Sequence, residues 1–314
     1  MSADLTFKKT MEFEYGVPME LAPGVARIVA NNPSPFTFKG TNTYLVGTND
    51  LALIDPGPED LAHFDATMKA IAGRRVSHIL ITHTHRDHTD GLARILDATG
   101  AITCGYGRTA LKAGDVRMSP SGSEFVDQDF APGIVMRHGD KIAGSNWALE
   151  AVFTPGHAPD HLCFALSDRR VLFSGDHVMA WNTTVVAPPE GNMADYMASL
   201  NVLLARAGGD DVYLPGHGGR IENPGRVTKA FIVHRTWREQ AILAAIRDGT
   251  DTISTIVSRV YQGLDVRLVK AASLSVQAHV EHLISRGLVR CDGPLTFDRH
   301  LSAVSAPVPS GPAL

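Results

Sequence analysis

Short apolar runs broken by glycine, proline and asparagine alternate along this chain with longer stretches of helical spacing. The runs at 25–30, 41–46, 51–55, 76–81, 134–138, 147–153, 161–166, 170–174 and 212–214 predict strands. Gly47-Thr48-Asn49-Asp50 joins the second and third as a hairpin signal. Helical spacing predicts helices over 59–72, where Leu61, Phe64, Met68 and Ile71 share a face, and over 90–98, closed by Gly100. A third, over 193–207, places Tyr196, Leu200, Leu203 and Leu204 on one side. Residues 1–24 read as an extended lead-in and 31–40 as a loop. From 102 to 133 the pattern breaks down into Gly, Ser, Pro and charged residues, a length usually tied to function in a compact domain.

The character changes after residue 225. A long helix is predicted over 225–248, further helices over 251–261, 266–271 and 273–286, and a terminal hairpin over 287–299. Helices followed by a β-wing suggest a winged-helix-like module. The expected organisation is a catalytic domain over 1–225, a winged-helix-like domain over 226–300 and a disordered tail over 301–314, with Pro307, Pro309 and Pro312. Two β-then-α passes in the main domain predict an α/β fold, a sandwich with helices outside and a site along one sheet edge.

Composition narrows the classes. The chain has 314 residues, 44% hydrophobic and 20% charged, which is ordinary for a globular protein. Mean hydropathy is −0.02, and no apolar run approaches the roughly 18 residues that a membrane span needs. The N-terminus lacks the pattern of a signal peptide. Cys104, Cys163 and Cys291 are odd in number and form no CxxC, so a reducing, cytoplasmic setting is expected. Of 29 Lys+Arg and 33 Asp+Glu, residues 226–314 hold 11 and 7, so the net −4 divides into −8 before residue 226 and +4 after it. That basic segment is compatible with nucleic acid and equally with a solvated surface. It lacks the interleaved aromatic and basic residues that stack single-stranded bases.

The chemistry is concentrated in Thr82-His83-Thr84-His85-Arg86-Asp87-His88, which follows the strand run at 76–81. Three imidazoles and a carboxylate crowded at a strand end suit a borderline divalent metal, above all zinc. Three more fragments share one form, an apolar strand, a small turn residue, then a ligand type. They are Phe153-Thr154-Pro155-Gly156-His157, Leu172-Phe173-Ser174-Gly175-Asp176 and Tyr213-Leu214-Pro215-Gly216-His217. Together the four give five histidines and two aspartates, the inventory for two adjacent metals.

THTHRDH, TPGH, SGD and PGH, in this order, resemble the metallo-β-lactamase superfamily. The chain is more closely similar to the β-lactamase-like protein 2 family. That likeness is carried by Asn32-Pro33-Ser34-Pro35-Phe36-Thr37, Gly40-Thr41-Asn42-Thr43-Tyr44-Leu45-Val46-Gly47-Thr48 and Asn182-Thr183-Thr184-Val185. Asp195-Tyr196-Met197-Ala198-Ser199-Leu200 and His234-Arg235-Thr236-Trp237-Arg238-Glu239-Gln240 carry it further. The resemblance implies an αββα sandwich with a C-terminal winged helix. It also implies two Zn²⁺ per chain, the first held by His83, His85 and His157, the second by Asp87, His88 and His217, with Asp176 bridging. Asp87 and Asp176 would be the catalytic carboxylates, around a hydroxide shared by the metals. The implied reaction is hydrolysis of an ester-type bond, either endoribonucleolytic cleavage of single-stranded RNA or opening of a small lactone or thioester. A mononuclear iron oxygenase, needing only a facial triad, is a third class. No membrane partner is expected, and a homodimer is compatible with the chain.

Other residues carry blander readings. Asp55 is expected to hold the ligand loops by hydrogen bonds, and His161 and His177 to support the ligands or the packing. His63, His78 and His138 read as ordinary, and Cys104 and Cys163 as buried filler. The 104–133 stretch departs from the family strings. Its position predicts a place over or beside the metal cleft, where Arg108, Lys112 and Arg117 could meet an anionic substrate or simply be solvated.

Overall fold

The strand runs are apolar on successive positions rather than alternating, and the fold explains why: each of the two sheets is covered on both faces. The computed structural model describes residues 7–108, 123–206 and 208–304. Its first sheet holds β1 (Met19–Ala22), β2 (Val25–Val29), β3 (Asn42–Val46), β4 (Asp50–Ile54), β5 (Arg75–Leu80), β6 (Ile102–Gly105) and β7 (Ile134–Val135), side by side in that order. The first four are antiparallel. From β4 onward pairing is parallel, with α1 (Leu61–Ile71), α2 (Arg86–Thr89) and α3 (Leu92–Thr99) in the crossovers.

The second sheet contains β8 (Lys141–Ala143), β9 (Ala148–Phe153), β10 (Leu162–Leu166), β11 (Val171–Gly175), β12 (Val212–Pro215) and β13 (Ile221–Glu222). Its order is β13-β12-β11-β10-β9-β8, and α4 (Met193–Arg206) makes β11 and β12 parallel. The chain then runs through α5 (Pro224–Arg247), α6 (Ile253–Val260), α7 (Val269–Ser285) and the strand pair β14 (Val289–Cys291) and β15 (Leu301–Ala303).

Three apolar layers stack the main domain into an α/β fold of αββα type. Ala52 and Ile54 of β4 and Leu162, Phe164 and Leu166 of β10 fill the space between the sheets. Leu51 and Leu53 point the other way, onto Ile71 and Ile95 of α1 and α3. Cys163 and Ala165 likewise turn outward onto Tyr196 and Leu200 of α4 and Phe231 of α5. Period-2 alternation therefore sorts residues between two apolar layers, not between core and water. A fourth cluster, including Ile242, Ile256, Val276, Leu283 and Leu301, gives the C-terminal unit its own core. No described helix is long and apolar enough to cross a membrane.

Several elements depart from the pattern-based expectation. β6 lies inside the stretch read as irregular. It is only four residues long, and parallel pairing of Leu80 with Cys104 specifies it more than its own sequence does. β1 and β13 are short edge strands with no apolar run of their own. The helices expected at 266–271 and 273–286 are one helix, α7, entered by a 3-10 turn at Val266–Leu268. The wing closes later than 287–299: β15 falls within the segment assigned to the disordered tail, where Leu301 is buried against the C-terminal core. The rest of that tail, from 305, lies outside the described residues, as do Lys112 and Arg117.

Candidate metal centre

The site is built where β4 and β5 end side by side. Asp55, just beyond β4, has a left-handed backbone (φ 52°) that turns its carboxylate under the loop leaving β5. It accepts the Thr82 backbone N–H at 2.8 Å, the Thr82 hydroxyl at 2.7 Å and His88 Nδ1 at 2.8 Å. It thus holds the loop and one imidazole, as expected for it. His85 then caps the single turn α2, which carries Asp87 and His88 back toward His83.

The second sheet supplies the rest. His157 follows β9, Asp176 follows β11 and His217 follows β12. Gly156 sits at φ 131°, open to glycine but strained for other residues, and a Cβ there would lie 2.3 Å from the Tyr196 backbone nitrogen. Gly216 is needed for space: its Cβ would stand 2.4 Å from Asp176 Oδ1 and 2.7 Å from His88 Cε1.

All seven residues meet. His85 Nδ1 lies 2.9 Å from His83 Nε2 and 3.0 Å from His157 Nε2. His217 Nε2 lies 3.2 Å from both Asp87 Oδ2 and Asp176 Oδ2. His88 Nε2 faces Asp87 Oδ2 at 3.5 Å and Asp176 Oδ1 at 3.6 Å, while His157 Nε2 is 3.7 Å from Asp176 Oδ2. Donor atoms converge within 4.8 Å in three overlapping groups: His83, His85 and His157; His83, His88 and Asp176; and Asp87, His88 and His217.

Electrostatics divide these residues in two. Burial, reinforced by the neighbouring imidazoles, holds His83 well below the usual histidine range. Burial likewise pushes His85 down to about 3 and lowers His157, so this trio presents neutral lone pairs. Burial also opposes charge on His88, but Asp87, Asp55 and Asp176 outweigh it and raise it to about 9. His217 is carried well above its ordinary value by Asp176 and Asp87, again against burial. Both carboxylates are held below the usual range by His88 and His217 despite their burial.

Buried carboxylates demand positive charge, and buried lone pairs aimed at one another demand a shared acceptor. His88 Nε2 and Asp176 Oδ1 are buried with no hydrogen-bond partner. Nitrogen and carboxylate donors in this arrangement fit divalent cations.

Around the seven stands a hydrogen-bonded frame. Thr41 donates to Asp87 Oδ2 at 3.0 Å, and the Gly40 carbonyl lies 3.2 Å from His217 Nδ1. Asn42 Nδ2 donates to the Pro215 and Gly218 carbonyls at 2.8 and 2.9 Å, fixing the turn that presents His217. His161 Nε2 accepts the Asp176 backbone N–H at 3.1 Å, so its Nδ1 donates to Thr154 Oγ1 at 2.8 Å. His177 turns away, against the Tyr196 ring. His63 is buried, 2.8 Å from the Thr43 hydroxyl, and is in none of the three donor groups.

The irregular stretch reaches the centre through its end, where Val126 bridges to His85 and Asp127 N–H donates to the Thr84 carbonyl at 2.8 Å. Arg108 corrects the expectation of a solvated or substrate-facing cation. It is buried, pairs with Glu190 at 2.7 and 3.0 Å and donates to Gln128 at 3.2 Å. Glu190 and the Val185 carbonyl, which accepts His157 Nδ1 at 2.6 Å, escaped sequence reasoning, since a lone carboxylate leaves no motif and a string of residue types does not say what its backbone oxygens hold.

Comparison with known proteins agrees with this geometry. The metallo-beta-lactamase superfamily matches residues 36–217, and the beta-lactamase associated winged helix domain matches 252–294. A beta-lactamase-like protein 2 homolog from Caenorhabditis elegans is 30% identical over 282 residues, covering 87% of this chain and 88% of the relative. An atrochrysone carboxyl ACP thioesterase from Aspergillus fumigatus is 32% identical over 232 residues, covering 73% and 66%. Among solved structures, a beta-lactamase domain protein from Burkholderia ambifaria superposes with a TM-score of 0.77 at 20% identity, covering 96% of each chain. A metallo-beta-lactamase family protein from Thermus thermophilus gives 0.72 at 24%, covering 91% and 100%. Both structures share the fold.

Proposed function

The chain belongs to the metallo-β-lactamase superfamily and is a hydrolase, and from that premise we propose that it is a binuclear zinc enzyme cleaving a small-molecule thioester or ester. The observation that carries the binuclear reading is the placement of Asp176, whose carboxylate lies 3.7 Å from His157 of the first group and 3.2–3.6 Å from His217 and His88 of the second. In this reading His83, His85 and His157 hold one cation, Asp87, His88 and His217 the other, and Asp176 both. Imidazole with carboxylate favours zinc over harder cations. Bound there, the cations would supply Lewis acidity and a nucleophile at neutral pH.

The protein groups supply orientation and proton handling. Asp87 has the most exposed carboxylate of the set, with 29% of its side chain accessible, and Thr41 fixes one of its oxygens. It would orient the attacking water, whose proton leaves with the departing sulfur or oxygen. Water oxygen bonds to the carbonyl carbon, the carbon–sulfur or carbon–oxygen bond breaks, and an acid and a thiol or alcohol leave.

The thioester class is supported by the thioesterase relative and by the fate of Arg108, whose charge Glu190 consumes. Cleavage of single-stranded RNA is the second reading, favoured by the winged-helix unit and its excess of four cations. Arg259 with Asp248, Arg267 with Asp265 and Arg286 with Glu239 pair within that segment, and the excess of four stands after such pairs are counted. Turnover of acyl thioesters and aryl esters, measured beside a labelled single-stranded RNA with the same metal-loaded preparation, separates the two. RNA cleavage without thioester turnover reverses the order. Elemental analysis giving one iron per chain replaces both with the oxygenase class.

A further inference from the structure

Three of the strings that carry the family likeness hold none of the seven metal-type residues, yet they meet at one place beside the centre. Thr184 Oγ1 donates to the carbonyls of Asp176 at 2.7 Å and His177 at 3.0 Å. The next carbonyl, of Val185, accepts His157 Nδ1 at 2.6 Å. One dipeptide therefore grips two of the seven, delivered by different strands. The segment around it lies between β11 and α4 with no ladder to hold it.

What holds it comes from the C-terminal helix. Arg235 of α5 is 3% exposed, donates Nη2 to the Thr184 carbonyl and lies 5.2 Å over the Tyr196 ring. Tyr196 in turn donates its hydroxyl to the His177 carbonyl at 2.8 Å. The same stretch of α5 grips the winged-helix unit. Arg238 donates to the Val260 carbonyl at 3.2 Å, and Glu239 takes His282 and Arg286, each at 2.6 Å. A carbonyl that binds Nδ1–H fixes the tautomer and the plane of an imidazole, leaving Nε2 as its donor.

We propose that Arg235 is a positioning residue for the metal centre: by pinning Thr184–Val185 it fixes the His157 ring and the Asp176 backbone, and it couples the winged-helix unit to the site. This rests on the metal reading above. Titration of Zn²⁺ and Co²⁺ into the full chain and its Arg235→Met variant tests it without reference to turnover. Loss of the outer partner of a ligand weakens metal binding by about 10- to 100-fold, and that loss is expected here, with a shifted cobalt d–d spectrum. Unchanged affinity and spectrum in a folded variant overturn the proposal.

Hydrogen exchange on the unaltered protein decides the matter even where the variant does not fold. Because coupling is reciprocal, stripping the metals must speed exchange at 184–186 and at 231–238 of α5 as well as at the ligands. Faster exchange confined to the ligand loops overturns the coupling. A chain that binds no divalent metal at all overturns the metal reading itself, a different result from a metal-loaded chain indifferent to Arg235.

Discussion

Asp55 accepts a hydrogen bond from His88 Nδ1 at 2.8 Å while the same carboxylate takes both the N–H and the hydroxyl of Thr82. Three donors at one buried carboxylate leave His88 Nε2 a single direction, toward Asp87 and Asp176. Asp55→Asn replaces an acceptor oxygen with an N–H₂ that faces donors. Metal affinity is expected to fall about 10- to 100-fold, read by competition with a chromophoric chelator. Unchanged affinity would show that His88 is oriented by something else.

His85 stands at the centre of the neutral trio, its Nδ1 within 3.0 Å of His83 and His157. His85→Ala removes that donor from a position that is only half-buried and contributes little to the core. Metal content should drop by about half and turnover by several orders of magnitude, while the urea midpoint of the metal-free protein moves little. Full metal content with full turnover refutes the assignment of His85.

Two buried histidines outside the seven contribute to an acid limit on stability. Burial pushes His63 down to about 4, and does the same to His279, which Glu239 opposes. Both are neutral in the folded protein, whereas the unfolded chain protonates them near 6.5. The unfolded state therefore binds more protons between those values. Stability contributed by the neutral rings is whole above about pH 6.5 and falls as pH drops toward 4, by up to about 3 kcal/mol for each. Urea midpoints of the metal-free protein at pH 7.5 and 5 should lie closer together in a His63→Asn, His279→Leu variant, with the remaining acid shift carried by other buried neutral rings such as His85 and His177. An equal acid shift in that variant rules these residues out as the cause.

Arg108 and Glu190 join the chain just after β6 to the loop before α4, with side chains 7% and 13% exposed. Removing either partner strands the other's charge in a poorly hydrated place. Arg108→Ala is expected to cost about 2–4 kcal/mol, and the double variant with Glu190→Ala clearly less than the sum of the singles. A double-mutant cycle by urea unfolding reads this directly. Additive losses mean that the pair is not coupled.

Much of the centre was legible in the sequence because metal ligands come as residue types at strand ends, where a turn must follow. His83 to His88 and the three glycine- or proline-led fragments could be read one by one. The layers were legible for the same reason: runs such as 161–166 are apolar on both faces, which fits a doubly covered strand. What could not be read is whatever pairing decides. β6 and β15 exist because a neighbouring strand is in register, and their own residues barely prefer extension. Arg108 looked like a loop cation, since nothing local reveals a carboxylate 82 positions away.

Gly156 shows how closely the two kinds of information interlock. Its left-handed φ of 131° would be strained for alanine, and a Cβ would also fall 2.3 Å from the Tyr196 nitrogen and Cα. Gly249, at φ 86°, has nothing within 4 Å of its own missing Cβ. Gly249→Ala should cost only the backbone strain, about 1 kcal/mol. Gly156→Ala must also push the first turn of α4 away from the end of β9, and about 3 kcal/mol or more is expected. The displaced turn carries Tyr196, and His157 is the next residue, so metal affinity should fall in Gly156→Ala and stay unchanged in Gly249→Ala. Urea unfolding and metal titration on the two variants together check both parts; equal losses in stability would mean that the close approach to Tyr196 is not what confines position 156 to glycine.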